Sequence, residues 1–337
     1  MGRILPLLLV LAAALAPAED AHAQLRRLGR GINMGNCLEA PREGAWGIRI
    51  REGDFANIRK AGFDSVRIPV RWSAHAGKEP PFALDPAFAG RVEQVVRDAL
   101  GAGLAVVLNV HHYEELDAEP VAHRPRFLAI WRQIAERFRG FPGELQLEVY
   151  NEPHGGHTAK VWNETLRLAL AEIRRLHPTR AVHVGGVDWS QAHSLGGLRL
   201  PEDDRHLIGH FHLYAPFSFT HQGAAWIKHS DTSGWIGNRW EGSPAERAHV
   251  AEILDKAAAW SRATGRPVFL GEFGTYGKHA DPACRGRWTA FVAREAERRG
   301  FAWAYWEYQA GFGAWDPSAR VWREPILRAL IPEDRPR

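Results

Sequence analysis

The sequence predicts a single-domain α/β protein with a (β/α)8 TIM-barrel fold, and three observations lead to this fold class. Short apolar runs alternate with longer amphipathic stretches along nearly the whole chain, which gives about eight pairs. The apolar runs are nearly continuous, as is typical of a parallel sheet covered by helices. A chain of 337 residues is ordinary for such a barrel. An open doubly wound sheet is the structural alternative, but no G-x-G-x-x-G sequence follows an early strand, which disfavours its dinucleotide-binding form.

The individual elements follow from β-branched and aromatic runs and from helical periodicity. The predicted strands are residues 31–34, 63–69, 104–110, 145–150, 181–184, 207–213, 267–270 and 301–306. The predicted helices are residues 86–100, 125–139, 159–176, 244–264, 281–299 and 321–330. We find no Ser/Pro-rich linker, so the chain is expected to form one domain without an appended binding module.

The first 23 residues have the pattern of a cleavable export signal. Arg3 precedes an apolar run over residues 4–15, and a small-x-small motif ends at Ala23. The run is too short to cross a bilayer, which disfavours an uncleaved membrane anchor. We therefore expect a secreted or periplasmic protein whose mature chain starts near Gln24, with residues 24–337 forming the barrel.

Charge and cysteine content narrow the function further. The formal net charge of +4 comes from interspersed acids and bases without a basic block, so nucleic acid is a poor candidate partner. We expect a monomer that needs no cofactor and has no membrane partner once the export signal is removed. Two cysteines, Cys37 and Cys284, do not make a disulfide framework, and whether they pair is left open.

Polar side chains cluster at the carboxyl end of nearly every predicted strand. In a barrel these ends converge on one open face, where such enzymes place their sites. A random scatter of surface polar residues does not explain this regularity, so we expect one pocket. Its members, in chain order, are Asn36, Glu39, Arg67, His111, His112, Tyr113, Asn151, Glu152, Trp189, His212, Tyr214, Glu272, Trp306 and Glu307.

Two glutamates carry the chemistry of this pocket: Glu152 in VYNEPHG and Glu272 in FLGEFG. The fourth and seventh strands lie across a barrel from each other, so the two carboxyls can face one another. Opposed carboxyls hydrolyse glycosidic bonds, with retention at a separation of about 5–5.5 Å and inversion at a wider gap. Pro153 disfavours a helical conformation at Glu152, and Gly271 and Gly274 would let the backbone approach a ligand. Either glutamate alone could instead be an ion-paired rim residue, an alternative that the presence of both strongly disfavours.

Neighbouring residues would divide the roles between the two glutamates. If Arg67 reaches Glu272, it would hold this carboxylate ionised as the nucleophile, and Tyr214 could donate to the same group. The nearby negative charge would raise the pKa of Glu152, which would then act first as acid and later as base. Asn151 would hydrogen-bond a sugar hydroxyl at the reacting ring.

A zinc-dependent barrel hydrolase is the competing hypothesis, because the chain has 17 histidines. His210 and His212 are two residues apart on one predicted strand and would point the same way. His111, His112 and His221 could join them. This hypothesis leaves the glutamates and tryptophans without a role, so we expect no metal. A non-catalytic sugar-binding barrel is a third hypothesis, disfavoured by the intact pair of glutamates.

The chain also has 14 tryptophans, most of which are expected to pack in the core or at the rim. Trp306 at the barrel mouth is the strongest candidate for stacking on a sugar ring. Trp189, Trp226 and Trp235 lie in predicted loops and could stack on further rings.

Seven segments together resemble glycoside hydrolase family 5, most closely its bacterial endo-β-1,4-glucanases. The NEP and GEFG elements are moderately specific alone, whereas all seven in this order are highly specific, and they span essentially the whole chain after the export signal. They are GINMGNCLEAP, SVRIPVRW, LNVHHYEEL, YNEP, HLYAPFSFTHQGAAW, LGEFG and WEYQAGFGAWD.

The resemblance implies a retaining mechanism with Glu152 as proton donor and Glu272 as nucleophile. The family's other site positions fall on Arg67, His111, Asn151, His212, Tyr214 and Trp306. Residues that match motif positions of the closest subgroup and are expected to line substrate sites are Asn36, Glu39, His112 and His221, with Trp226 in the same loop. Cys37 stands where a small residue is common, and residues 187–201 match least.

The expected substrate is a β-1,4-linked polysaccharide or oligosaccharide such as cellulose, β-glucan or glucomannan. Mannan, xyloglucan and mixed-linkage glucan remain alternatives, because stacking tolerates either sugar. Without an appended binding module, the protein is expected to act on soluble or amorphous chains rather than on crystalline fibres.

Overall fold

The computed structural model describes residues 19–333, so most of the predicted export signal lies outside the described residues. Eight parallel strands close into a barrel in the order of the chain, which confirms the predicted fold class. The strands are β1 (Arg30–Asn33), β2 (Ser65–Ile68), β3 (Ala105–Asn109), β4 (Leu145–Glu148), β5 (Val182–Gly185), β6 (Leu207–Leu213), β7 (Val268–Phe273) and β8 (Ala302–Tyr305).

Helices cover the outside of the barrel and fill its loops. They are α1 (Ala21–Arg26), α2 (Asp54–Ala61), α3 (Pro86–Gly101), α4 (Glu114–Ala118), α5 (Pro120–Arg137), α6 (Ala159–Arg174), α7 (Val187–Ser190), α8 (Phe217–Thr220), α9 (Pro244–Thr264), α10 (Pro282–Arg298) and α11 (Glu324–Leu330). Several begin where the sequence offers a side-chain cap followed by proline, as at Asp85, Ser243 and Asp281. Among residues 19–333, no helix combines the length and apolar character that crossing a bilayer requires.

The eight-residue helix α2 (Asp54–Ala61) was not predicted, and two predicted helices start at other residues than expected. The helix predicted over 321–330 begins only at Glu324, because Val321–Trp322 pairs with Trp315–Asp316 in a small antiparallel hairpin, β10 with β9. The indoles of Trp315 and Trp322 pack edge to face in this hairpin, at 5.4 Å between centroids. The helix predicted to start at Pro125 begins five residues earlier with Pro120 at its first turn, and Pro125 lies inside it.

Two hydrophobic clusters hold the fold. The large one lies between strands and helices. The small one fills the amino-terminal end of the barrel, where helix α1 contributes Ala21 and Leu25. The predicted cleavage point after Ala23 falls inside this helix. Both cysteines are buried and free, so Cys37 and Cys284 do not pair in this structure.

Candidate active site

The carboxyl ends of the strands bring the predicted residues of the pocket into one connected group. Arg67 lies in β2, His212 in β6 and Glu272 in β7. The others directly follow their strands. The eight positions that the family resemblance singles out are Arg67, His111, Asn151, Glu152, His212, Tyr214, Glu272 and Trp306, and each contacts at least one other member.

Glu272 is buried, and four polar side chains lie around its carboxylate. Arg67 Nη1 donates to its Oε1 at 2.6 Å, and the Tyr214 hydroxyl donates to its Oε2 at 2.8 Å. His212 Nδ1 is 3.7 Å from Oε2, and His111 Nε2 is 4.0 Å from Oε1. The contact of Arg67 with Glu272 that we expected is therefore present. Burial nevertheless raises the pKa of Glu272 above its ordinary value, although His212 and Arg67 oppose this shift.

Glu152 follows β4 on the more open side of the cleft, with 24% of its side chain exposed. His212 Nδ1 lies 2.6 Å from its Oε1. Burial raises the pKa of Glu152 to about 7, and Arg67 and His154 only partly offset it. The sequence-based expectation that a neighbouring negative charge is the main cause is wrong: desolvation dominates and Glu148 adds a smaller contribution. Glu152 is thus suited to carry a proton near neutral pH.

The two carboxyls converge. Oxygen atoms of Glu152 and Glu272 and a ring nitrogen of His212 all lie within 4.8 Å of one another. This separation is close to that of a pair in which one carboxylate attacks the sugar directly. His212 is neutral at ordinary pH, because burial lowers its pKa to about 4.

The same three residues bear on the zinc hypothesis. Among residues 19–333, Glu152, His212 and Glu272 form the one group of three or more ligand-type side chains whose donor atoms come together. Of the five histidines considered for zinc, only His212 belongs to it. A cation in this position would bind the carboxylate oxygens themselves, so the described part of the chain offers no histidine-rich site separate from the glutamates.

Trp306 directly follows β8 and lies parallel to His111, with 5.6 Å between ring centroids and 10° between planes. The backbone behind it is tightly packed, because a Cβ atom at Gly274 would collide with the Trp306 carbonyl oxygen. A Cβ atom at Gly271 would lie 3.2 Å from His212 Nε2. Both glycines therefore make room for neighbouring protein groups.

The five predicted substrate-binding residues lie on two sides of the pair. Asn36, Glu39 and His112 are on the β1–β3 side, where the backbone amides of Asn36 and Cys37 donate to Glu39. Burial raises the pKa of Glu39 to about 8. His221 and Trp226 lie on the β6 side.

On the β6 side, His221 is buried and stacks on Phe217 at 4.0 Å, and Trp226 is 51% exposed beside Tyr276. On the opposite side, Trp46 is 45% exposed and meets His112 edge to face. The sequence analysis missed Trp46, although its loop GAWG combines a tryptophan with flanking glycines.

A cleft of about 500 Å³ lies beside Glu152, between the loops after β3, β4 and β5. Trp189, 48% exposed, stacks on His154 at its edge with 4.9 Å between ring centroids. Asp188, Trp189 and Ser190 all have left-handed backbone, with φ of 56°, 55° and 54°. This conformation is costly for residues with a Cβ, and it lies within residues 187–201, the segment that matches the family motifs least. Trp235 lies farther out, against Phe217.

A second layer beneath the pair was missed by sequence analysis. Glu148 is fully buried and takes two hydrogen bonds from Arg67. Asn33 and Asn109 join the same network. The available signal was the alternation in LQLE, which puts Gln146 and Glu148 on one side of an otherwise apolar strand.

Comparison with known proteins agrees with this geometry. Residues 30–311 match the family model described as Cellulase (glycosyl hydrolase family 5). Endoglucanase H of Acetivibrio thermocellus is 36% identical over 321 residues, which cover 93% of this chain and 34% of that protein. Cellulase/esterase CelE of the same bacterium is 31% identical over 303 residues, covering 82% and 35%. The chain thus spans about a third of the length of these two relatives.

Solved structures give a similar picture. Thermotoga maritima Cel5A is 44% identical, with a TM-score of 0.90, and the match covers 93% of this chain and 100% of that one. One of its structures is a complex with mannotriose and another a complex with cellobiose.

Proposed function

The chain belongs to glycoside hydrolase family 5, and on that premise we propose that it is an endo-β-1,4-glucanase that retains the anomeric configuration. The observation that carries this proposal is the approach of Glu152 and Glu272 within 4.8 Å in unlike environments. Glu272 accepts hydrogen bonds from Arg67 and Tyr214, as an ionised nucleophile requires. Glu152, with its pKa raised to about 7, keeps the proton that the leaving group needs.

The reaction proceeds in two displacements. In the first, a Glu272 oxygen attacks the anomeric carbon while Glu152 gives its proton to the glycosidic oxygen. The carbon–oxygen bond to the leaving chain breaks, and a glycosyl ester of Glu272 forms. In the second, Glu152 takes a proton from water, the water oxygen attacks the anomeric carbon, and Glu272 leaves as a carboxylate.

Arg67, Tyr214 and His212 assist these steps. Hydrogen bonds from Arg67 and Tyr214 stabilise the negative charge that returns to Glu272 in the second displacement. Neutral His212 fixes Glu152 through the contact at 2.6 Å. Because Glu152 is regenerated with its proton, the cycle consumes only water and the glycosidic bond.

The substrate class rests on the relatives and on the exposed aromatic rings. Trp46, Trp189 and Trp226 present half-exposed indoles on both sides of the pair, and such rings stack on pyranose faces of either glucose or mannose. Endoglucanases are the main named relatives, which favours glucan. The mannotriose complex of Thermotoga maritima Cel5A makes mannan the second candidate.

Secretion is part of the proposal and rests on the signal-like pattern of the first residues. Intact mass of the protein recovered outside the cytoplasm tests it: a mature chain that starts near Gln24 supports the predicted cleavage, and a full-length chain retained in the cytoplasm contradicts it.

The catalytic proposal is tested by reducing-sugar release from carboxymethylcellulose and from galactomannan, with and without a chelator. Wild type should cut at least one polymer without regard to the chelator, and Glu152→Gln and Glu272→Gln should lose roughly 10²-fold or more. Lys256→Ala, at a half-exposed side chain of the outer helix α9, serves as control. Near-full activity in either glutamate variant, or loss with the chelator, would overturn the proposal. Activity on crystalline cellulose that rivals activity on the soluble polymer would contradict the expected preference for soluble chains.

A further inference from the structure

Glu148 is a buried carboxylate that the two displacements do not use. It ends β4, four residues before Glu152, and none of its side chain is exposed. Its Oε2 accepts from Arg67 Nε at 2.6 Å, and its Oε1 accepts from Arg67 Nη2 at 2.7 Å. Oε1 also accepts from Asn109 Nδ2 at 2.9 Å. A buried charge with such complete hydrogen bonding is costly to build, so its position calls for a reason.

The hydrogen bonds of Arg67 indicate that reason. Its guanidinium has five N–H donors, and five hydrogen bonds leave it. Two go to Glu148. The others go to Asn33 Oδ1 at 2.9 Å, Asn151 Oδ1 at 2.7 Å and Glu272 Oε1 at 2.6 Å. Because the fork-to-fork pair with Glu148 fixes the guanidinium plane, it also fixes the directions in which Nη1 and Nη2 meet Glu272 and Asn151.

Charge gives Glu148 a second effect. Arg67 is a single cation between two carboxylates, and its bidentate partner is Glu148, not the nucleophile. Burial opposes ionisation of Glu148, but the charge and hydrogen bonds of Arg67 are the main opposing cause, and the pKa of Glu148 lies well below the ordinary value. Glu272 therefore receives one hydrogen bond from a cation whose charge is already largely balanced by Glu148. Its carboxylate is more basic than it would be if Arg67 paired with Glu272 alone.

The other groups around Glu148 do not supply this balance. His210 of β6 approaches Oε1 at 3.9 Å, and His183 of β5 is the register partner of Glu148 on the neighbouring strand. Burial lowers the pKa of each histidine to about 3, so both are neutral at working pH. Asn109 of β3 carries no charge. Glu152 and His212 are further titratable neighbours: the negative charge of Glu148 helps to raise the pKa of Glu152 and partly opposes the lowering of the pKa of His212.

We propose that Glu148 is a positioning residue that orients Arg67 and shares its charge, and thereby sets the pH range over which Glu272 attacks and Glu152 donates. The inference rests on the proposed two-carboxylate function. Glu148 touches no substrate atom in this scheme and acts only through Arg67. Two properties follow from it, orientation and charge, and the two are separable by substitution.

Glu148→Gln removes the charge and keeps the shape. Without that negative charge, Arg67 stabilises the ionised forms of Glu272 and Glu152 more strongly, so both pKa values fall. The acid and alkaline limbs of kcat/KM against pH should both move to lower pH, by about one unit. Activity at the optimum should fall roughly 10- to 100-fold, because an amide of the same shape keeps only one of the two oxygen atoms that accept from Arg67.

Glu148→Asp keeps the charge and shortens the side chain. The acid and alkaline limbs of kcat/KM against pH should stay at the wild-type pH in this variant. The kcat should fall about tenfold or more, because the shorter carboxylate no longer reaches both Nε and Nη2 of Arg67. Gln146→Leu is the matched control two residues earlier on the same strand, where the amide bonds to His183 and the Gln24 carbonyl. It should lower the melting temperature and leave both limbs unmoved.

These profiles are measured on whichever β-1,4-linked substrate wild type cuts. If the acid and alkaline limbs of kcat/KM against pH are the same in Glu148→Gln as in wild type, the inference is wrong. The proposed function is not affected by that result. Should Glu148→Gln fail to fold, Glu148→Asp decides: wild-type kcat in that variant would overturn the inference. If wild type cuts no β-1,4-glycoside, the proposed function fails and the inference falls with it.

Discussion

At its amino-terminal end the barrel interior is apolar and closed by a helix, whereas at its carboxyl end it is filled with charged and hydrogen-bonding groups. The amino-terminal layer consists mostly of alanine, valine, leucine and isoleucine, with Phe269 as its largest member. Helix α1 closes it with Leu25, and Leu28 follows directly. At the other end, Arg67, Glu148 and Glu272 occupy equally buried positions.

The side chain of Gln24 bonds backbone groups at the closed end. Gln24 Nε2 donates to the carbonyl of Thr179 at 3.1 Å, and Gln24 Oε1 accepts from the amide of Ala181 at 2.7 Å. The cap of α1 is Asp20, which accepts from the amide of Ala23. The helix is therefore bonded to the strand ends that it covers, and its contribution is to stability.

The difference shows what each end is built for. Burying apolar surface stabilises a fold directly, whereas burying a guanidinium and two carboxylates gains little stability and can cost some. The charged end is maintained because its geometry performs chemistry. Substitutions at the two ends should therefore separate function from stability.

The largest expected effect is at the charged end. Glu272→Gln should lose roughly 10³-fold or more in kcat, because the amide cannot form the glycosyl ester. Its melting temperature should stay near that of wild type, since the amide oxygen still accepts from Arg67. Steady-state kinetics and calorimetry on the same sample measure both. A large loss of stability together with activity would erase the contrast between the two ends.

A matched truncation at the closed end should do the reverse. Leu28 is fully buried, and Leu28→Ala should cost about 2–5 kcal/mol of unfolding free energy through lost burial and the cavity left behind. The kcat of the folded fraction should be unchanged. Chemical denaturation followed by fluorescence gives the free energy, and a fall in kcat at a temperature where the variant is folded would show that the two ends are coupled.

The third prediction concerns the pH dependence of activity at the charged end. Glu152 must be protonated to act as acid, and its pKa is about 7. Activity should therefore fall as pH rises through about 7, by about tenfold per unit well above it. The acid limb should lie above the ordinary glutamate range, because the pKa of Glu272 is raised. An alkaline limb that survives in Glu152→Gln would show that another group titrates there.

The smallest effect concerns the first turn of α1. A variant that begins at Glu19 keeps the Asp20 cap and the pair of Glu19 with Arg27 at 2.8 Å, whereas one that begins at Gln24 loses both. The shorter chain should be less stable by about 1–2 kcal/mol and equally active. Equal melting temperatures for the two variants would mean that the first turn of α1 does not contribute to the stability of the closed end.

The sequence predicted the repeating part of this molecule well, because periodicity and strand ends are local features. The eight strands and the convergence of residues such as Arg67 and Glu272 followed from alternation alone. The bounds of β6 and α9 agree with the prediction, whereas Trp315 and Val321 form a hairpin through contacts that no local pattern encodes.

The inner layer of the site was less predictable. Glu148 is a glutamate within a strand, and only the closed barrel shows that it faces Arg67 instead of solvent. The cause of the raised pKa of Glu152 was also beyond the sequence, since desolvation depends on how deeply the loops bury it. The left-handed turn at Trp189 is a third case, because contacts elsewhere in the fold hold it in place.

The account depends most directly on Glu272 forming a covalent bond with the sugar. Incubation with an activated 2-deoxy-2-fluoro-β-cellobioside, which slows hydrolysis of the intermediate, followed by proteolysis and mass spectrometry of the labelled peptide, tests this. We predict one glycosyl group per chain, attached to Glu272 in the peptide that contains LGEFG, and none in Glu272→Gln. A label on Glu152 or on a histidine would contradict the account, as would an unlabelled protein that releases product of inverted configuration.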